Sequence, residues 1–269
     1  MREHRTGAAT PGSAAPVAKL PAGIGGPVIN SPENETVRRL RRLRTRREPG
    51  FAILEGPRLI TEAAAAGIHL ELLILREGED FPLPAAKRVT LSRGLFKSVS
   101  DTTTPQGVLA LARVDEAGID DAIAAVRRRA WPLVVLDRVQ DPGTVGAIIR
   151  SAAAAGAPAV AVLEGTADPF SPKAVRASAG SVFRLVVARA AWDEVKDLRG
   201  FGAAATGGET LAASAIENAE MLVLGSEAHG LSHDGPRKVT IPLATGVESL
   251  NVAAAAAVLL MEVRRRKTT

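Results

Sequence analysis

Apolar positions fall into two rhythms along this chain. In residues 31–47 (SPENETVRRLRRLRTRR), Val37, Leu40 and Leu43 recur at helical spacing among charged neighbours. This predicts an amphipathic helix opened by Ser31-Pro32 and ended by Pro49-Gly50. FAILEG from residue 51 reads as a strand, Arg58 to Ala66 as a helix with Pro57 at its start, and LELLIL from residue 70 as a second strand. A short helix around Phe96, a Thr/Pro loop and a strand from Val108 to Leu111 complete a small α/β module over residues 31–114. Residues 115–130 read as a linker that becomes a helix. From Pro132 onward the rhythm changes to continuous apolar runs, LVVLD, AVAVL, VFRLVV, GAAAT, MLVLG and VTIPL, most of them separated by helices. Such runs call for a largely parallel sheet covered on both faces, which makes residues 131–269 a second α/β domain. Residues 1–30 are rich in Gly, Pro and Ala without a sustained period. They bury too little apolar surface to offset chain entropy and are expected to form a flexible tail.

Composition narrows the function. A chain of 269 residues that is 46% hydrophobic has enough apolar material for two cores. It has no cysteine, which excludes disulfides, thiolate zinc sites and a cysteine nucleophile and is compatible with a reducing cytoplasm. The longest apolar run is far short of the roughly 18 residues a membrane helix needs, and no signal-peptide core is present at the N-terminus. A soluble, cytoplasmic protein without a membrane partner is expected.

Charge separates the two modules. Residues 1–114 hold 17 Lys and Arg against 11 Asp and Glu, whereas residues 115–269 hold 17 against 18. The first part is what a module docking onto a polyanion needs, attached to a neutral body; a solvated basic face is the simpler alternative. With six Phe, two Trp and no Tyr, base recognition on an aromatic sheet is not expected.

Candidate chemistry sits where strands end. Asp141-Pro142-Gly143-Thr144-Val145-Gly146 is a tight turn entering a helix that carries Arg150. The strand MLVL runs into Gly225-Ser226-Glu227-Ala228-His229-Gly230, where Gly225 permits close approach to the backbone. Ile241-Pro242-Leu243 leads to Ser249-Leu250-Asn251 and an alanine-rich helix, a Ser-x-Asn spacing that by itself is commonly only a helix cap. In open α/β sheets the carboxyl ends of strands are where ligands bind. His229 and His233 are four apart, but Gly230 breaks the helix that a metal-binding pair would need, so no metal is expected. Gly200-x-Gly202-x-x-Ala205 precedes a strand instead of following one and is rejected as a dinucleotide fingerprint.

These three stretches, in this order, resemble the motifs of the SpoU (TrmH-like) RNA ribose 2′-O-methyltransferases of the SPOUT class. Residues 34–112, with EGPRLI and TTTPQGVLA, resemble the small substrate-binding domain that many of them carry. The resemblance implies an α/β fold: an N-terminal RNA-binding domain followed by a SPOUT methyltransferase domain with a C-terminal trefoil knot. It implies methyl transfer from S-adenosylmethionine to a ribose 2′-hydroxyl in structured RNA, with large-subunit ribosomal RNA favoured over transfer RNA, and a homodimer. By the same resemblance Arg150, Glu227, Ser249 and Asn251 take catalytic or polar site roles, and Gly225, Ile241 and Leu250 contact the cofactor. Arg38, Arg39, Arg41, Arg42, Arg46 and Arg58 are the expected phosphate contacts. The family usually has Asn where Thr144 stands here, which leaves open a protein that binds RNA on this scaffold without catalysis.

Overall fold

The computed structural model describes residues 27–45, 48–226 and 229–268. Most of the expected tail, Arg46 and Glu227 lie outside the described residues.

Four strands build the first sheet: β1 (Phe51–Glu55), β2 (Leu70–Arg76), β3 (Lys87–Leu91) and β4 (Val108–Arg113), in the order β1-β4-β2-β3. β4 is antiparallel to both its neighbours, and β3 lies parallel to β2 at the edge. Strict alternation in β1 sends Ala52 and Leu54 to one face and Ile53 to the other. On the Ile53 face lie α1 (Glu35–Thr45), through Val37, Leu40 and Leu43, and α3 (Arg93–Val99), through Phe96 and Val99. On the opposite face α2 (Pro57–Ala65) packs Leu59, Ile60 and Ala63. Two details differ from the sequence reading. α1 starts later than Ser31-Pro32 suggests, because the Asn34 side chain accepts the Thr36 N–H (3.0 Å) and caps the helix there. β3 carries no clear period, being an edge strand buried fully only at Leu91.

The larger sheet is parallel throughout. Its strands are β5 (Leu133–Leu136), β6 (Ala159–Leu163), β7 (Val186–Ala190), β8 (Gly200–Ala203), β9 (Glu209–Thr210), β10 (Met221–Leu224) and β11 (Arg237–Thr240), in the order β7-β6-β5-β10-β8-β11-β9. Every residue of β5, β6 and β10 is buried, the pattern expected of strands covered on both faces. One face is covered by α4 (Ile119–Arg128), through Ala122, Ala125 and Val126. On the other lie α5 (Pro142–Ala155) and α7 (Val252–Thr268), with α6 (Pro172–Ala177) packed on α5. VFRLVV does not form one strand: Ala179 (φ 49) and Gly180 (φ 80) turn the chain, and Ser181–Arg184 winds into a 3₁₀ turn before β7. Residues 115–130 are built into the large layer, with Ala117 bridging to Ala188 ahead of α4.

The two modules share one apolar core, in which Leu54, Leu59 and Ile60 join Val145, Ile148 and Val175. The seam is tied at its surface by Arg184 to Glu62 (2.5 Å) and by Asp101 to both Arg44 (3.5 Å) and Arg176 (2.6 Å).

Candidate active site

Strand order reverses between β5 and β10, because the chain builds outward through β6 and β7 before returning to β8. Such switch points open a crevice at the carboxyl ends of the strands. Here the crevice is a cavity of about 820 Å³. Gly225 after β10, Ala203 at the end of β8 with Ala204 after it, and Ile241 after β11 all line it.

The structure brings together most of the residues expected at the strand ends. Gly225, Ile241, Ser249, Leu250 and Asn251 all line the cavity, with Leu243, Ala255 and Leu259 adding apolar surface and Ser226, His229 and Glu248 adding polar groups. Gly225 has a different reason for being glycine from the one its position suggested. A Cβ there would run into the Gly230 carbonyl and lie 2.6 Å from the Leu231 nitrogen, so the space is taken by the loop's own return. Ser226 and Gly230 exchange backbone hydrogen bonds, each 2.9 Å, and the Ser226 hydroxyl accepts the His229 N–H (3.0 Å). Asn251 caps α7: its side-chain oxygen accepts from the N–H groups of Ala253 (3.0 Å) and Ala254 (3.3 Å). The cap therefore fixes the orientation of Asn251 at the cavity wall.

Sequence reasoning passed over the residue that anchors this loop from below. Asp137, at the end of β5, is 1% exposed. Its two carboxylate oxygens accept from the Ser232 hydroxyl and the Ser232 N–H, each 2.6 Å. Next to it His233 stacks on Trp192, ring centroids 4.5 Å apart and planes 1° from parallel. An acidic residue ending a fully apolar strand was the available signal, but its partner is 95 residues away.

Arg150 stands apart. It is exposed on α5 and does not line the cavity. Among the described residues it has no hydrogen-bond or ion-pair partner, so its guanidinium is available to an incoming group. The start of α5 is capped by Asp141, whose carboxylate accepts the Thr144 N–H (2.8 Å) and the Thr144 hydroxyl (3.3 Å) and pairs with Lys173. Lys173 first, then the Thr144 N–H, hold the Asp141 carboxyl below its usual range. Thr144 thus spends its hydroxyl on the helix cap. Gly146, one turn before Arg150, is the contact point with α6; a Cβ there would overlap the Ala174 carbonyl and lie 2.6 Å from the Ala177 Cβ.

The expected phosphate contacts divide. Arg39 is held by both oxygens of Glu48 (2.8 and 3.0 Å) over the Phe51 ring. Arg41 donates to the Ser98 hydroxyl (3.0 Å), and Arg38 lies 3.8 Å from Glu33. Arg42 and Arg58 are exposed, and their guanidinium groups have no hydrogen-bond or ion-pair partner among the described residues. Because α1 and α2 cover opposite faces of the small sheet, Arg58 does not share the surface of the α1 arginines.

The residues present fit S-adenosylmethionine. The cavity has the volume of a small-molecule site. It combines apolar walls for an adenine (Ile241, Leu243, Leu250) with exposed loop backbone and the Glu248 carboxylate for the polar amino-acid end.

Comparison with known proteins agrees with this geometry. Residues 132–261 match the SpoU rRNA methylase family, and residues 34–110 match the MRM3-like substrate-binding domain. The chain is 32% identical to the 23S rRNA (guanosine(2553)-2′-O)-methyltransferase RlmP of Bacillus subtilis, over 88% of this chain and 98% of that protein. It superposes on the SpoU methyltransferase AviRb of Streptomyces viridochromogenes, solved with S-adenosylmethionine, with a TM-score of 0.76 at 26% identity, covering 88% of this chain and 99% of that one. An rRNA methyltransferase from Sinorhizobium meliloti, also solved with S-adenosylmethionine, gives a TM-score of 0.74 at 25% identity over 89% of this chain and 98% of that one. The chain belongs to the SpoU rRNA methylase family and is an S-adenosylmethionine-dependent RNA 2′-O-ribose methyltransferase.

Proposed function

We propose that the enzyme methylates a ribose 2′-hydroxyl of large-subunit ribosomal RNA, and that the residues on the rim described above carry out the reaction. One observation carries the reading: the loops after β10 and β11 and the start of α7 converge on a single cavity at the strand switch point. Ribosomal RNA is preferred to transfer RNA because RlmP, matched over 98% of its length, is a 23S rRNA methyltransferase.

Bound S-adenosylmethionine supplies an electrophilic methyl group on a positively charged sulfur. Gly225, Ile241 and Leu250 hold it, largely through loop backbone. Ser249 and Asn251 present polar groups to the ribose from the same wall. Arg150 grips the neighbouring phosphate and orients the ribose, gaining from bidentate, charge-assisted hydrogen bonds. Arg150 is cast as a positive charge that orients the ribose; as the hydroxyl oxygen forms its bond to the methyl carbon and the carbon–sulfur bond breaks, the hydroxyl proton passes to solvent water at the exposed rim. Glu227 is assigned to the substrate side of the loop on its position in the motif. Arg38, Arg39, Arg41 and Arg42 of α1 dock the RNA through its phosphates, Arg46 is assigned with them on its place in the sequence, and Arg58 serves a separate contact from the other face of the small sheet.

We further infer that two copies complete the site. In support, Arg150 is absent from the cavity wall of its own chain, and α7 exposes Val258 and Met261 (41% and 49%), apolar side chains that favour association. We also propose a trefoil-threaded C-terminal segment, a reading supported by family membership. No helix among the described residues is long and apolar enough to cross a membrane, and a cytoplasmic location fits the absence of cysteine.

The test is transfer of tritium from labelled S-adenosylmethionine to unmodified ribosomal RNA and, separately, to transfer RNA, with nuclease mapping of the labelled nucleotide. Arg150→Ala should lose at least ~100-fold in rate while cofactor affinity stays within about twofold. Full turnover by that variant would remove Arg150 from the mechanism, and label appearing only in transfer RNA would overturn the substrate assignment.

A further inference from the structure

At the opposite end of the large sheet from the cofactor cavity, the amino ends of β5, β8 and β10 open a second cleft of about 320 Å³. Its wall includes Arg127, Trp131, Asn218 and Lys267, brought together from the end of α4, the approach to β10 and the last turn of α7. α4 finishes on Arg127, Arg128 and Arg129, all exposed. The chain then turns through Ala130 in the left-handed region (φ 47), and the Trp131 N–H donates back to the Val126 carbonyl (3.0 Å). Only glycine takes that conformation without strain, so this turn spends stability to fix an indole directly behind three arginines. Arg127, Arg128, Arg129 and Lys267 form no ion pair among the described residues. The two carboxylates at the cleft pair with other arginines, Glu217 with Arg266 (3.0 Å) and Glu220 with Arg199 (3.3 Å), and also lie within electrostatic reach of Lys267 and Arg127, which leaves Arg128 and Arg129 as the cations farthest from an acidic partner in the ion pairs described. Regional charge totals hide this patch because acidic residues elsewhere in the large module balance it.

We propose that this cleft is a second RNA-binding site that takes one nucleotide of the substrate, its base against Trp131 and its phosphate among Arg127–Arg129 and Lys267. The inference rests on the RNA reading given above. Cations alone would suit any polyanion, including an acidic protein. The half-buried indole beside them, with the Asn218 amide in the same wall, adds the apolar face and hydrogen-bonding group by which single-stranded bases are held.

Trp192→Phe keeps a ring against His233 and leaves Trp131 as the sole indole. Titration of that variant with unmodified ribosomal RNA should quench the Trp131 emission. Replacing Arg127, Arg128 and Arg129 by Gln in the full-length protein should weaken RNA binding about tenfold at low salt. It should also flatten the log–log salt dependence by one to two units. S-adenosylmethionine affinity, which reports folding, should be unchanged. Unaltered affinity and slope with an unquenched Trp131, while the parent still binds RNA, would overturn the site and leave the RNA reading standing. A parent that binds no RNA would overturn both. Equal quenching by polyglutamate would reduce the cleft to a general anion surface and overturn the nucleotide assignment.

Discussion

Helix α5 and the loops 225–236 and 241–251 carry the two halves of the proposed site, and they are held by opposite means. α5 buries Val145, Gly146, Ile148, Ile149, Ala152 and Ala155, and Arg264 of α7 closes its far end by donating to the Ala155 carbonyl (3.2 Å). Residues 244–251, by contrast, are exposed, with hydrogen bonds that include a turn from the Val247 N–H to the Ala244 carbonyl (3.1 Å) and the Asn251 cap. The helix is placed by packing that the whole fold shares, whereas the described residues of the loops are held largely by polar contacts. Damage to the first should therefore appear as lost stability, and damage to the second as lost cofactor affinity.

The sharpest way to break that division is at Gly146. A methyl group there meets backbone, the Ala174 carbonyl, as well as the Ala177 Cβ, so relief requires α5 and α6 to separate. Gly146→Val should cost about 3 kcal/mol of stability, near the upper end for overpacking a well-filled contact. Thermal or urea unfolding measures the loss. Cofactor affinity, measured calorimetrically on the folded fraction, should move by less than about threefold, equivalent to under 1 kcal/mol. A larger loss of affinity than of stability would show that the helix and the loops are not independently held.

Asp137 tests the other half. Its removal in Asp137→Ala leaves the Ser232 N–H and hydroxyl without their buried acceptor, a loss of about 2 kcal/mol where hydrogen bonds to a charged group are broken. Because Ser232 belongs to the loop that returns over Gly225, part of that loss should appear as cofactor affinity weakened about tenfold. Asp137→Asn retains an acceptor and should recover part of the affinity. Unchanged affinity in the Ala variant would mean that the stack of His233 on Trp192 suffices to hold the loop.

How far the sequence could be read depended on the range of the interaction. Strands buried on both faces, such as β5, β6 and β10, announce themselves as uninterrupted apolar runs, and the cavity residues Gly225, Ile241, Ser249, Leu250 and Asn251 follow those runs directly. β3 was missed because an edge strand buries one side incompletely and loses its alternation. Arg58 and the α1 arginines were named together as phosphate contacts because sequence charge carries no sheet face. Asp137 was passed over because its meaning lies in Ser232, and the α4–α7 basic patch because its members come from chain segments that only the fold brings together.

The smallest expected effect concerns the clamp at the end of α7, which holds the alanine-rich helix against the segment before β10. Glu262 accepts from Arg265 (2.8 Å, twice) and Arg266 (2.7 Å), while Arg266 also donates to the Ser214 and Leu211 carbonyls, each 2.5 Å. Arg265 first, then Arg266, lower the Glu262 carboxyl from 4.5 to about 2. A carboxyl whose folded pKa is depressed contributes stability that is fully present above its unfolded value and is lost as pH falls through the folded one. The window is therefore pH 4.5 down to about 2. The pair is partly solvated, so the contribution should be on the order of 1 kcal/mol and not the full value of the shift. Comparing urea midpoints of the parent and Glu262→Gln cancels the carboxylates common to both. The parent should be the more stable at pH 6, and the difference should shrink towards zero near pH 2. A constant difference across that range would mean that Arg266 is held by the Ser214 and Leu211 carbonyls and Glu217 alone, with Glu262 a bystander on the helix surface.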